Sequence, residues 1–115
     1  MAIEVLVTAE FKGWWEGLSE EEQTSVAIVI ELLEDFGVTL KFPHSSSITT
    51  SQKLRELRIQ HAGQPYRVLY AFDPQRNAVL LLGGNKTGDD RWYEKNVTKA
   101  EKIFAAYLEE TRQTE

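Results

Sequence analysis

The apolar positions change period along the chain, and each change predicts an element. From Ala2 to Val7, Ile3, Val5 and Val7 alternate with Glu4 and Leu6, the two-residue period of a short strand. Phe11, Trp14, Trp15 and Leu18 then fall at i, i+3, i+4 and i+7 behind Thr8, a residue suited to cap a helix. Ser19 and Glu22 have the spacing of a capping box, and Val26, Val29, Ile30, Leu33 and Phe36 carry a second helix to a stop at Gly37. Residues 41–52 (KFPHSSSITTSQ) are polar and contain Pro43, which predicts an exposed loop. Period two returns in Leu54–Gln60, Tyr66–Asp73 and Ala78–Leu82, three strands joined by short turns and hence antiparallel neighbours. The run AVLLL is apolar on both faces, as in a central strand covered by helices. Beyond Gly83 and Gly84, the sequence predicts a loop over Asn85–Asp90 and a single helical turn at Arg91–Lys95. Thr98 and Glu101 repeat the capping-box spacing before a last helix with the stripe Ala100, Phe104, Tyr107 and Leu108. The expected fold class is α+β: one domain over residues 1–115, a small, mostly antiparallel sheet with the first strand beside the meander. Two N-terminal helices and one C-terminal helix would pack on one face.

Composition narrows the chemistry. With 42% hydrophobic and 27% charged residues among 115, the chain is that of a folded domain and not of a disordered one. No apolar run approaches the roughly 20 residues of a membrane helix, and the start lacks a basic segment followed by an apolar one. A cytoplasmic protein without a membrane partner is expected. Zero cysteines exclude a disulfide framework, a thiolate nucleophile and a thiolate zinc site, and two histidines, His44 and His61, leave little for a metal cage. No metal and no cofactor are therefore expected. The net charge of -5 is unevenly spread. Residues 1–40 hold one basic and nine acidic side chains, whereas residues 41–99 hold ten basic and five acidic ones. That asymmetry permits a phosphate-binding face on an acidic protein.

Several motifs invite a functional reading. GGNKTG (Gly83–Gly88) has the Lys and Thr of a phosphate-cradling P-loop, but Asn85 stands where that loop requires Gly, so nucleotide hydrolysis is excluded. What survives is a Gly-rich turn that places Lys86 at a strand end. Trp14 and Trp15, at helical spacing with Phe11 and Leu18, are expected in the core. Arg55, Arg58 and Arg67 lie on predicted strands, where guanidinium forks suit phosphate oxygens. The alternative for them is a cross-strand ion pair with Glu56 or Asp73. Arg55 and Arg58 have opposite parity, so a regular strand sends them to opposite faces. Asp90, Arg91 and Tyr93 bring a carboxylate, a guanidinium and a phenol close to the end of AVLLL, a set able to move a proton and stabilise charge without metal.

The order and spacing of Glu56-Leu57-Arg58, of the Y-R-V-L-Y strand Tyr66–Tyr70, and of the apolar strand running into Lys86 before a last helix resemble the RelE/ParE toxin superfamily. The likeness is to its HigB-like, phage-Gp49-like branch and covers nearly the whole chain. The resemblance implies a RelE-like fold and the toxin of a type II toxin–antitoxin pair. Such a toxin is a ribosome-dependent mRNA endonuclease (mRNA interferase) neutralised by a small antitoxin, here expected to be a helix-turn-helix protein. It further implies metal-independent chemistry, in which the 2'-hydroxyl of the RNA attacks the neighbouring phosphate. On that reading Arg67, Lys86 and Tyr93 are catalytic, and Lys53, Arg55, Arg58 and Arg91 bind RNA, with ribosome and mRNA as partners. Two alternatives stay open: a ParE-like toxin of the same fold acting on DNA gyrase, and a non-catalytic interaction module whose acidic helices over residues 8–36 bind a basic partner. The chain departs from the superfamily in its acidity and in the strand LRELRI, where Glu56 stands among arginines.

Overall fold

Local signals set where the first helices begin. In the computed structural model, which describes residues 2–113, strand β1 (Val5–Val7) ends at Thr8, whose hydroxyl accepts the Phe11 N–H and starts α1 (Ala9–Glu16). The outermost positions of the expected 1–115 domain lie outside the described residues. Ser19 and Glu22 form the expected capping box at the head of α2 (Glu20–Phe36), which Gly37 closes with a φ of 56° that favours glycine. Strands β2 (Ser45–Ile48), β3 (Ser51–His61), β4 (Gln64–Phe72) and β5 (Ala78–Asn85) follow, and α3 (Trp92–Gln113) ends the described chain.

The five strands form one sheet in the order β1-β5-β4-β3-β2. Strands β3 to β5 are antiparallel neighbours as expected and β2 adds antiparallel to β3, but β1 runs parallel to β5, so the sheet is mixed. Four local expectations are corrected. The helices cover both faces, not one: Leu57, Ile59, Tyr66, Val68, Tyr70 and Leu80 pack under α1 and α2, while Leu54, Leu69, Ala71, Val79 and Leu81 pack under α3. The reason is that successive side chains of a strand point to opposite faces, so a strand apolar at every position needs cover on both sides. The segment 41–52 contains the edge strand β2, held by pairing with β3 and by the buried Ser45, which shares a 2.6 Å hydrogen bond with Tyr70. Tertiary pairing here overrides the poor strand propensity of serine. Strand β5 runs on through Gly83 and Gly84 to Asn85, and the lack of Cβ serves packing: a Cβ on Gly83 would lie 2.3 Å from the Trp14 ring, and one on Gly84 2.7 Å from the Trp92 indole nitrogen. Finally, α3 passes through Thr98 without a break and begins at Trp92, because Trp92 and Val97 are buried and fasten its first turns to the sheet. Trp14 and Trp15 pack against the core as expected.

Candidate active site

Register and parity assemble the site. Arg58 on β3 is paired directly with Arg67 on β4, and Glu56 shares their face two residues earlier on β3. Two guanidinium groups would repel each other there, and the Glu56 carboxylate stands between them. Its Oε2 lies 3.1 Å from Arg58 Nη1 and its Oε1 3.4 Å from Arg67 Nε. The first turn of α3 brings Tyr93 to the same point: its hydroxyl donates to Glu56 Oε1 at 2.5 Å and accepts from Arg67 Nε at 3.3 Å. From the edge strand, Ser46 Oγ donates to Glu56 Oε2 at 2.6 Å. Arg67 Nη1 is further tied to the Tyr66 carbonyl at 3.0 Å. Lys86, at the end of β5, places Nζ 5.4 Å from the centre of the Tyr93 ring, within the range of a cation–π contact.

Burial sorts these groups by task. The Arg67 and Glu56 side chains are 7% and 6% exposed, whereas that of Arg58 is 30% exposed and faces solvent. Two guanidinium charges against one carboxylate leave a net positive cluster, with Lys86 added above Tyr93, on a protein that is acidic as a whole. Burial first, and then the bond to Glu56, push the Tyr93 phenol above its ordinary value of 10. A phenol held protonated donates a hydrogen bond and does not act as a base at neutral pH. Of the groups gathered here, Glu56 is the one left to accept a proton. A cavity of about 330 Å³, lined by Ser47, Ile48, Thr49, Thr50, Glu56 and Tyr93, opens onto that carboxylate. A single carboxylate shared by two guanidinium groups has no coordination to offer a metal ion, and no cluster of three His, Asp or Glu side chains suited to one occurs among the described residues.

Residues 13–105 match the family described as phage-derived protein Gp49-like (DUF891). The chain belongs to the Gp49-like family. It is 39% identical over 107 residues to the toxin candidate HigB3 of Mycobacterium tuberculosis, covering 90% of this chain and 92% of that protein. To the toxin candidate HigB2 of the same organism it is 35% identical over 106 residues, covering 89% of this chain and 53% of the relative, so it spans about half of HigB2. Among solved structures, the fold is similar to that of an arginine-to-alanine double mutant of the Escherichia coli toxin RelE in the free state. The TM-score is 0.64 at 10% identity, over 86% of this chain and 98% of that one. It is also similar to the archaeal RelE–RelB complex from Pyrococcus horikoshii OT3, with a TM-score of 0.56 at 15% identity, over 76% of this chain and 99% of that one. At such identities these two likenesses show the fold alone, and the fold is RelE-like.

In this Gp49-like chain the expected site residues divide. Arg58, Arg67, Lys86 and Tyr93 come together; the cross-strand ion pair weighed as the alternative to phosphate binding is formed by Arg67 with Glu56, while Arg58 meets Glu56 along the same strand. Arg55 does not join them: parity sends it to the α2 face, where its Nε and Nη2 donate to Ser45 Oγ at 3.2 and 3.1 Å. Near the sheet edge it and exposed Lys53 also line a larger cavity of about 810 Å³ that extends to Phe104 and Leu108 of α3. Arg91 is on the surface before α3 and forms a two-pronged pair with Glu94 at 2.9 Å. Asp73, the other expected ion-pair partner, instead accepts the backbone N–H groups of Gln75 and Asn77 and orders the β4–β5 turn. His61 is bonded through Nδ1 to Ser25 at 2.7 Å, and exposed His44 uses its carbonyl to accept the Arg58 N–H. Sequence reasoning missed Ser46 and assigned Glu56 no chemistry. The i, i+2 spacing of Glu56 and Arg58 was the signal that could have found the second of these.

Proposed function

We propose that this Gp49-like chain is the toxin of a type II toxin–antitoxin pair, a single domain that cuts ribosome-bound mRNA in the cytoplasm without a metal or cofactor. The observation that carries the reading is the Glu56 carboxylate, buried among Arg58, Arg67 and Tyr93 yet open to a cavity. Kinship with HigB toxin candidates and the RelE-like fold support it. Cleavage requires a 2'-hydroxyl to lose its proton and bond to phosphorus while the bond to the 5'-oxygen breaks and that oxygen gains a proton. An incoming phosphate competes with Glu56 for Arg58, the more exposed of the two guanidinium groups, and so frees Oε2 to take the 2'-hydroxyl proton. Arg67 stands behind the phosphate, supplying charge as the phosphorane forms and holding Glu56 and Tyr93 in place. Lys86 is the cation near enough to serve the departing oxygen. The products are a 2',3'-cyclic phosphate and a 5'-hydroxyl. The partner that silences this chemistry is an antitoxin of the helix-turn-helix kind, seated over the Arg58 face; the RelE–RelB complex among the similar folds supports such a partner.

Induced expression without antitoxin, followed by mapping of RNA ends, tests the proposal. Translation should stop, ribosome-bound mRNA should carry cuts ending in 2',3'-cyclic phosphate, and cutting should persist in EDTA. Glu56→Gln should lower the rate by about 10² to 10⁴, the usual worth of one acid–base group. Normal translation with stalled replication would instead establish the gyrase reading, and a harmless protein the interaction module.

A further inference from the structure

The chemistry above leaves Phe42 without a task, although it is the most exposed large apolar side chain among those described, at 68%. It lies in the segment before β2 and makes one notable contact: the Arg58 guanidinium carbon sits 5.1 Å from the centre of its ring. Arg58 in turn touches Glu56 at 3.1 Å, so Phe42 is one side chain removed from the reacting carboxylate. The three tryptophans are not available in the same way: Trp14 and Trp15 pack against one core and Trp92 is buried in the other.

Charge separates Phe42 from three of the four other exposed large apolar side chains. Ile28, Phe36 and Val38 lie on or just beyond α2, beside Glu31, Glu34 and Asp35. Phe42 stands between Lys41 and His44 in the sequence and lies against the Arg58 guanidinium. An exposed ring in a basic setting, with a solvent-facing guanidinium over it, suits a flat ligand with a π face joined to an anion. A nucleotide in single-stranded RNA has that form, and stacking on aromatic side chains is how such strands are held without sequence-specific hydrogen bonds. An apolar protein segment would have to strip water from the Arg58 charge in order to cover the ring.

We propose that Phe42 is a nucleobase platform: it stacks the base of the nucleotide whose phosphate Arg58 holds, and so sets where the RNA lies relative to Glu56. This rests on the nuclease reading and adds a binding determinant to it. Single-turnover cleavage of a short mRNA on programmed ribosomes provides the test, with purified full-length variants. Phe42→Ala should raise the half-saturating protein concentration about 5- to 150-fold, the range for loss of one base–aromatic contact, with a smaller change in the plateau rate. Phe42→Trp should restore binding, whereas Phe42→Leu, which keeps apolar bulk but has no π face, should not. Removing single bases from the mRNA around the cut should identify one position where the abasic site weakens the wild type but adds nothing to Phe42→Ala. Strict additivity at every position would overturn the proposal, as would Phe42→Leu behaving like wild type. Loss of antitoxin binding in Phe42→Ala with unchanged RNA cleavage would assign the ring to protein docking instead. A wild type that cuts no RNA overturns the nuclease reading itself, and that result is distinct from the others because it concerns the wild type alone.

Discussion

Each face of the sheet carries a tyrosine that donates a 2.5 Å hydrogen bond to a glutamate, and the two pairs have opposite characters. Under α2, Tyr66 donates to Glu22 Oε2, while Glu22 Oε1 accepts the Ser19 N–H and completes the helix cap. Under α3, Tyr93 donates to Glu56, which also lies within ion-pair distance of Arg58 and Arg67. Glu22 has neutral donors and solvent around it, so its pair clamps a helix to a strand. Glu56 is buried, is surrounded by an excess of positive charge, and is reached through a cavity. A tyrosine–carboxylate pair is therefore not a site by itself. A buried carboxylate, an excess of positive charge around it and a cavity leading to it distinguish the second pair from the first.

The contrast is removed most strongly at Arg67, the charge that has no counterpart on the α2 face. Arg67→Ala should lower cleavage by about 10² to 10³, the cost of deleting one preorganised donor aimed at developing charge, while circular dichroism shows the fold retained. Arg67→Lys should recover part of the loss, since a single ammonium nitrogen does not reproduce the planar fork that meets Tyr93 through Nε and the Tyr66 carbonyl through Nη1. Full toxicity in a well-folded Arg67→Ala protein would remove Arg67 from the mechanism.

Tyr93→Phe is a finer cut, because it deletes one oxygen and leaves the ring against Lys86 and Trp92. The bond lost is to a charged group, worth about 1.5–3 kcal/mol, so a fall in rate of roughly 10- to 150-fold is expected. The half-saturating concentration should change little, since the ring stays in place. A Tyr93→Phe protein with unchanged rate but weakened RNA binding would make this residue a stacking surface only.

How far the sequence foretold this arrangement depends on the distance over which each signal acts. The caps at Thr8 and Ser19 and the meander strands were legible because their causes lie within a few residues. Strand parity alone likewise separates Arg55 from Arg58, since residues an odd number of positions apart on a strand point to opposite faces. Strand β2 was not legible, since SSSI has no apolar alternation and owes its conformation to the partner strand. Nor was the meeting of Tyr93 with Glu56, 37 residues away, which depends on α3 continuing back to Trp92 and on that indole lying over Gly84. The positive character of the site was visible only as a regional charge count, because the pairing that buries Arg67 and leaves Arg58 accessible is a matter of register.

The smallest expected effect is on the α2 face, and it has the opposite sign pattern. Tyr66→Phe should leave cleavage unchanged, because Tyr66 contributes to the site through its backbone carbonyl, which the substitution keeps. It should lower the melting temperature slightly by removing the clamp on α2. The loss should itself depend on pH. The Tyr66 hydroxyl first, and then the Ser19 N–H, hold the Glu22 carboxyl below its ordinary value of 4.5. A depressed carboxyl contributes stability that is present above pH 4.5 and is lost as pH falls through its lower folded-state value. Wild type and Tyr66→Phe should therefore differ in melting temperature at neutral pH and converge as the solution is made more acidic than 4.5. A difference that stayed constant through the acid range would mean that Tyr66 supports α2 by the packing of its ring and not by its bond to Glu22. A fall in cleavage by Tyr66→Phe would mean that the two faces are coupled through β4, and the division of labour between the two tyrosine–glutamate pairs would have to be withdrawn.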